Sequence, residues 1–81
     1  MNPIRVLLVD DHAILREGIR YLLSASGEVQ VIGEAQDGVE ALEMVEKLQP
    51  DAVLMDIAMP RMNGIEATAE LKKRHPNLPI L

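Results

Sequence analysis

Hydrophobic residues are distributed along this chain in two patterns. Two short, nearly continuous apolar runs, Ile4 to Val9 (interrupted by Arg5) and Ala52 to Met55, each stop at acid: Asp10-Asp11 after the first and Asp56 after the second. Runs of this length suit strands buried on both faces of a parallel sheet. Periodicity alone does not separate them from buried helix, but length and the bounding acidic and proline residues favour strand. Val29 to Glu34 alternates less cleanly and ends in Gly33-Glu34, as expected of a strand nearer a sheet edge. Between these runs the spacing is helical. Leu15, Ile19, Leu22 and Leu23 predict a helix from Ala13 to Ala25, stopped by Ser26-Gly27. Leu42, Val45 and Leu48 predict a second from about Gly38 to Leu48, with Asp37 as N-cap and Glu40 completing a capping box. Gln49-Pro50-Asp51 breaks it. Asn63 and Glu66 repeat the capping arrangement before a third helix, about Gly64 to Arg74, closed by Pro76. Leu78-Pro79-Ile80-Leu81 reads as the start of a fourth strand.

The resulting order, β-α-β-α-β-α-β with short loops, argues for an α/β domain with a parallel sheet and right-handed crossovers. Strands usually run about 5–6 residues, whereas only Ile80 and Leu81 follow Pro79. The expectation is therefore a domain truncated at its fourth strand. There is no repeat, low-complexity tract or interdomain linker.

Composition narrows the function classes. The chain has 81 residues, is 48% hydrophobic and carries a net charge of −5, which allows one small soluble domain. It has no cysteine, so disulfides and thiolate zinc sites are excluded, and a reducing cytoplasm is compatible. The opening Met-Asn-Pro-Ile-Arg-Val lacks a signal-peptide pattern. The apolar runs fall far short of the roughly 20 residues needed to span a bilayer, so no membrane role is expected. The acidic balance argues against this segment gripping nucleic acid, which requires clustered Lys and Arg. Its one basic cluster, Lys72-Lys73-Arg74, falls where cations favourably meet a helix C-terminus.

Candidate chemistry lies at the strand ends. In open parallel sheets, ligands bind beyond the carboxyl ends of the strands, near the point where strand order reverses. Right-handed connections can make the first and third strands neighbours, which brings Asp10, Asp11 and Asp56 to one small cavity. Three carboxylates repel one another unless a cation neutralises them. Mg²⁺ suits such a place because it prefers carboxylate and carbonyl oxygen and commonly joins one or two carboxylates to phosphate. The bland alternative is helix capping, for which Asp11 is the natural candidate. Two strand ends supplying acid together favour a metal site that handles phosphate.

With these residues in view, a family resemblance emerges. Val6-Leu7-Leu8-Val9-Asp10-Asp11-His12, Gly33-Glu34-Ala35 with Asp37-Gly38, and the run from Asp56 through Pro60 to Gly64 together resemble the receiver domains of two-component response regulators. Those domains have a flavodoxin-like (CheY-like) doubly wound parallel sheet, here incomplete, lacking the last helix-strand-helix. Asp10-Asp11-His12 with Arg16 and Gly18-Ile19, and the run Met62 to Thr68, are similar to the subfamily whose receivers precede a LuxR-type (NarL/FixJ-like) helix-turn-helix DNA-binding domain. That domain of the parent is absent from this chain, so DNA contact is expected only through it. The resemblance implies that Asp56 accepts a phosphoryl group from a phosphohistidine on a sensor histidine kinase. It implies that Asp11, Asp56 and the backbone carbonyl of Ala58 ligate Mg²⁺, with Asp10 assisting through water or hydrogen bonds. Gly64 fits a position where a side chain would crowd the loop below the site.

The resemblance also leaves gaps. Family members carry a Ser or Thr after the fourth strand and a Lys at the end of the fifth. Here Thr68, Lys47, Lys72 and Lys73 all fall on predicted helices, so none matches. The chain is therefore expected to bind Mg²⁺ yet phosphorylate poorly on its own, and to self-associate as a homo-oligomer, with strand exchange as one route. His12 is expected at a helix start, in a packing or solvent role rather than as a ligand, and His75 at a helix end. Met44, Met55, Met59 and Met62 are packing residues, Asp37 and Asp51 serve caps and turns, and Arg61 projects to solvent beside the site. Taken together, the motifs point to a receiver of a cytoplasmic transcriptional regulator, a phosphoacceptor rather than an enzyme. Its rivals are a Mg²⁺-dependent phosphohydrolase, whose nucleophile would ordinarily follow the first strand, and a non-phosphorylated interaction module.

Overall fold

The computed structural model describes residues 2–56 and 64–81. Its central strand is β1, Ile4–Val9, in which Val6, Leu7, Leu8 and Val9 are buried while Ile4 and Arg5 are exposed. Strand β2, Val29–Ala35, and strand β3, Ala52–Met55, flank it in parallel, giving the order β2-β1-β3. The predicted fourth strand is present as a parallel bridge of Ile80 to Val53. The Val53 and Met55 amides donate to the Pro79 and Leu81 carbonyls at 2.9 Å each, and the Leu81 amide donates back to Val53 at 2.8 Å.

Helix α1 runs Ala13–Ala25, α2 Gly38–Leu48 and α3 Gly64–Arg74. Asp37 caps α2 as its sequence pattern predicts, accepting the Glu40 amide at 2.8 Å. Alternate residues of each strand face opposite sides of a sheet. On one side Leu7, Val9, Val53 and Ala35 meet Ala41 and Val45 of α2 and Leu71 of α3 in the main core. On the other side, among the described residues, α1 packs alone, against β2 and β1. No residue of α1 is buried: Leu15 is 51% exposed and Leu22 72%. The apolar stripe predicted on this helix exists, but only part of it has sheet beneath it.

Against β1, the pairing of β2 slips by one residue: Val6 pairs with Val31, but Leu7 pairs with Gly33. The extra residue, Ile32, makes a β-bulge, which re-aims the side chains that follow it. Gly33 thereby faces α2 so closely that a Cβ there would stand 2.6 Å from Leu48 Cδ1 and 3.1 Å from Met44 Cε. Glu34 is turned to the α1 side, and Ala35 enters the core.

Candidate metal and phosphoryl site

The site follows from strand register. Val9 pairs with Met55, so the next residue on each strand, Asp10 and Asp56, leaves the sheet at the same level. Backbone hydrogen bonds hold that level: the Asp56 amide donates to the Val9 carbonyl at 2.9 Å, and the Asp10 amide to the Ala35 carbonyl at 3.0 Å. Asp11 and His12 then carry the chain into α1. One ligand atom from each of Asp10, Asp11, His12 and Asp56 lies within 4.8 Å of all the others.

The four differ in environment. Asp10 is buried, Asp56 half-buried, and Asp11 and His12 exposed. Buried Asp10 is satisfied locally, its Oδ1 accepting the His12 amide at 2.7 Å. Asp11 does not cap α1. The N-cap is His12, whose side chain makes no capping hydrogen bond. The acids instead precede the helix N-terminus, where the macrodipole favours negative charge. The His12 side chain is at the helix start and largely solvent-exposed, as the sequence suggests. Its Nδ1 nevertheless stands 2.9 Å from Asp11 Oδ1 and 3.2 Å from Asp10 Oδ1.

The donor set suits a hard cation. Opposite vertices of a Mg²⁺ octahedron with ligands at roughly 2.1 Å are about 4.2 Å apart, close to the spread of these atoms, and three of the four donors are carboxylates. Imidazole nitrogen is the least suitable of the four for Mg²⁺. Ala58, assigned a carbonyl ligand by resemblance, lies outside the described residues, as do Met59, Arg61, Met62 and Asn63.

Sequence reasoning assigned no role to Arg16 or Glu34 beyond membership of a motif. Arg16 reaches from α1 to two places at once. Its Nη1 donates to the backbone carbonyl of Asp10, and its Nε to Glu34 Oε1 at 3.0 Å. Arg20, one turn later, donates to Glu34 Oε2 at 2.7 Å. The available signal was the i, i+4 pair of arginines with an acid ending the next strand.

The sequence profile of the response regulator receiver domain matches residues 6–81. The chain belongs to that family. Among curated relatives, the receiver is 44% identical over 80 residues to the transcriptional regulatory protein DegU of Brevibacillus brevis, covering 99% of this chain and 34% of DegU. It is 46% identical over 80 residues to a protein-glutamate methylesterase/protein-glutamine glutaminase of Pyrococcus horikoshii, covering 99% of this chain and 22% of that protein. Among solved structures, a LuxR-family two-component response regulator from Aurantimonas sp. SI85-9A1 superposes with a TM-score of 0.92 at 38% identity, over 96% of this chain and 56% of that one. The receiver thus spans about a third or less of the curated proteins it matches, and relatives with different outputs share it.

Proposed function

We propose that this receiver is the phosphoacceptor of a two-component transcriptional regulator, with Asp56 as the residue that takes the phosphoryl group. The observation carrying the reading is the convergence of the Asp10, Asp11 and Asp56 carboxylates at one sheet end. In the proposed step a carboxylate oxygen of Asp56 attacks the phosphorus of a phosphohistidine on the sensor kinase. The new P–O bond forms as the P–N bond breaks, and the imidazole leaves with the electron pair and takes up a proton. Phosphoryl transfer asks mainly for positioning and charge neutralisation, which fits a site built from strand ends rather than from a general base.

Mg²⁺ would be held by Asp11, Asp56 and the carbonyl of Ala58, with Asp10 behind them through water or hydrogen bonds, and would neutralise charge on the phosphoryl oxygens. Asp10 orients the loop by holding the His12 amide. The receiver itself is not proposed as an enzyme. For the parent, the proposal is a cytoplasmic protein with a helix-turn-helix domain beyond this chain that makes the DNA contacts. The resemblance of Asp10-Asp11-His12 and of Met62 to Thr68 to LuxR-type receivers supports this, together with the DegU and LuxR-family relatives. The methylesterase relative favours a second output, an enzymatic domain in the same position.

The 81 residues taken alone include no candidate for the phosphoryl-contacting Ser/Thr and Lys. They are proposed to phosphorylate poorly and to form homo-oligomers through the uncovered α1 side and the strand edge at Ile80, strand exchange included. The deciding experiment treats this chain, and a version extended through a fifth helix, with Mg²⁺ and acetyl phosphate or beryllofluoride. The extended form is expected to label once and decay slowly, and Asp56→Asn to abolish the response. Normal labelling of Asp56→Asn would overturn the assignment, and repeated release of phosphate from small substrates would favour a phosphohydrolase.

A further inference from the structure

The polar contacts around the β1–α1 turn do not all involve carboxylates. The peptide between Asp10 and Asp11 sets where the Asp11 side chain emerges, and three contacts fix its surroundings. The Asp10 amide is tied to Ala35, the Asp10 carboxylate to the His12 amide, and the Asp10 carbonyl to the Arg16 guanidinium. Only the last comes from a side chain on another element, and that side chain is itself held. The Arg16 side chain is partly buried, at 18% exposure, and its Nε is fixed by Glu34 at the end of β2. Glu34 is available on that face because of the bulge at Ile32, and its second oxygen is held by Arg20.

We infer that Arg16 is a positioning residue for the acidic site: held by Glu34, its guanidinium fixes the Asp10 carbonyl and so aims the Asp11 carboxylate at Asp56. The inference deepens the Mg²⁺ reading and rests on it. Its physical interest is a conflict of sign. Considered only as a charge, Arg16 repels a divalent ion bound nearby, and removing it should tighten metal binding. Considered as a positioning group, it orders the ligands, and removing it should weaken binding, as losses of groups that orient metal ligands do by about 10–100-fold. Lysine preserves the charge but gathers its donors on one nitrogen instead of a planar fork, so it cannot serve the Asp10 carbonyl and Glu34 together in the same geometry.

The test is Mn²⁺ binding by electron paramagnetic resonance, with Mg²⁺ competition, on the full chain. Thermal melts run alongside. Arg16→Ala and Arg16→Lys are both expected to weaken binding by about tenfold. Glu34→Ala, which touches none of the acids, should weaken it in the same direction. The double variant Arg16→Ala/Glu34→Ala should bind no more weakly than Arg16→Ala alone, because Glu34 acts through Arg16. Tighter binding by Arg16→Ala would show that charge dominates and overturn the inference. A lower melting temperature with unchanged affinity would reduce Arg16 to a brace between α1 and β2, and also overturn it. Should Arg16→Ala not fold, Arg16→Lys and Glu34→Ala decide the question by the same criterion. Asp11→Asn separates the two readings. If it abolishes binding while the Arg16 and Glu34 variants bind normally, only the positioning role falls. If it leaves binding unchanged, the metal site falls and the positioning role with it.

Discussion

Arg5 interrupts an otherwise apolar central strand, and its contacts account for that. Its guanidinium donates to the carbonyls of Leu48 and Gln49, at 2.9 Å each, where α2 ends in a left-handed residue, Gln49, at φ 49°. Those carbonyls have no partner inside the helix, and a cation at a helix C-terminus also meets the negative end of the dipole. The Arg5 amide is bound in turn by Asp51 Oδ2 at 2.8 Å. Arg5→Met should therefore lower stability by about 1 kcal/mol, since hydrogen bonds to charged groups contribute on that scale and solvent screens this one. For a domain of this size that is a fall in melting temperature of about 4–8 °C. A denaturation midpoint unmoved by the change would contradict this account. The acids at the opposite sheet end should keep their metal affinity in this variant, because β1 separates the two ends. His75 and Arg74, at the end of α3, engage Glu46 and Glu70, which agrees with a helix-end role read from the sequence.

At the scale of elements, strand β2 illustrates how one irregularity serves two faces. The bulge at Ile32 turns Gly33 toward α2 and Glu34 toward α1. Gly33→Val would push side-chain atoms into Leu48 and Met44, an overpacking that costs about 1–3 kcal/mol. The expected result is a lower chemical-denaturation midpoint. An unchanged midpoint would mean that α2 can move away from the sheet at little cost. Asp37→Ala removes the cap of α2 and should destabilise by about 1 kcal/mol. The boundaries of α1, α2 and α3 coincide with those the hydrophobic spacing and stop signals predict. Local features mark these limits: the Asp37 cap before α2, Gly27 after α1 and Pro76 after α3. The bulge could not be read in the same way, because it depends on which strand β2 pairs with.

For the molecule as a whole, the two sheet faces are unequally covered. Two helices close one side, whereas on the other the described residues offer α1 alone, leaving a groove of about 330 Å³ lined by Leu8, Leu15, Ile19, Leu54 and Leu81 and opening beside Asp10 and Asp56. Ile14, Tyr21 and Leu22 add further exposed apolar surface on α1. Apolar surface of this kind next to a short strand edge invites association. The 81-residue chain is expected to give concentration-dependent dimers or larger species in light scattering, and a stable monomer across the micromolar range would count against that. No helix among the described residues is long and apolar enough to cross a membrane.

The sequence by itself determined the order of elements, their limits and the acids that end the strands, since these depend on local spacing and on residues a few positions apart. It also carried the family, through motifs distributed in order along most of the chain. Only the tertiary structure decided that β1 lies between β2 and β3, so that Asp10 and Asp56 emerge level. It alone turned Glu34 beneath Arg16, and among the described residues it left one flank of α1 exposed. These features arise from pairing register and packing between segments distant in the chain, where a slip of one residue reverses which face a side chain takes.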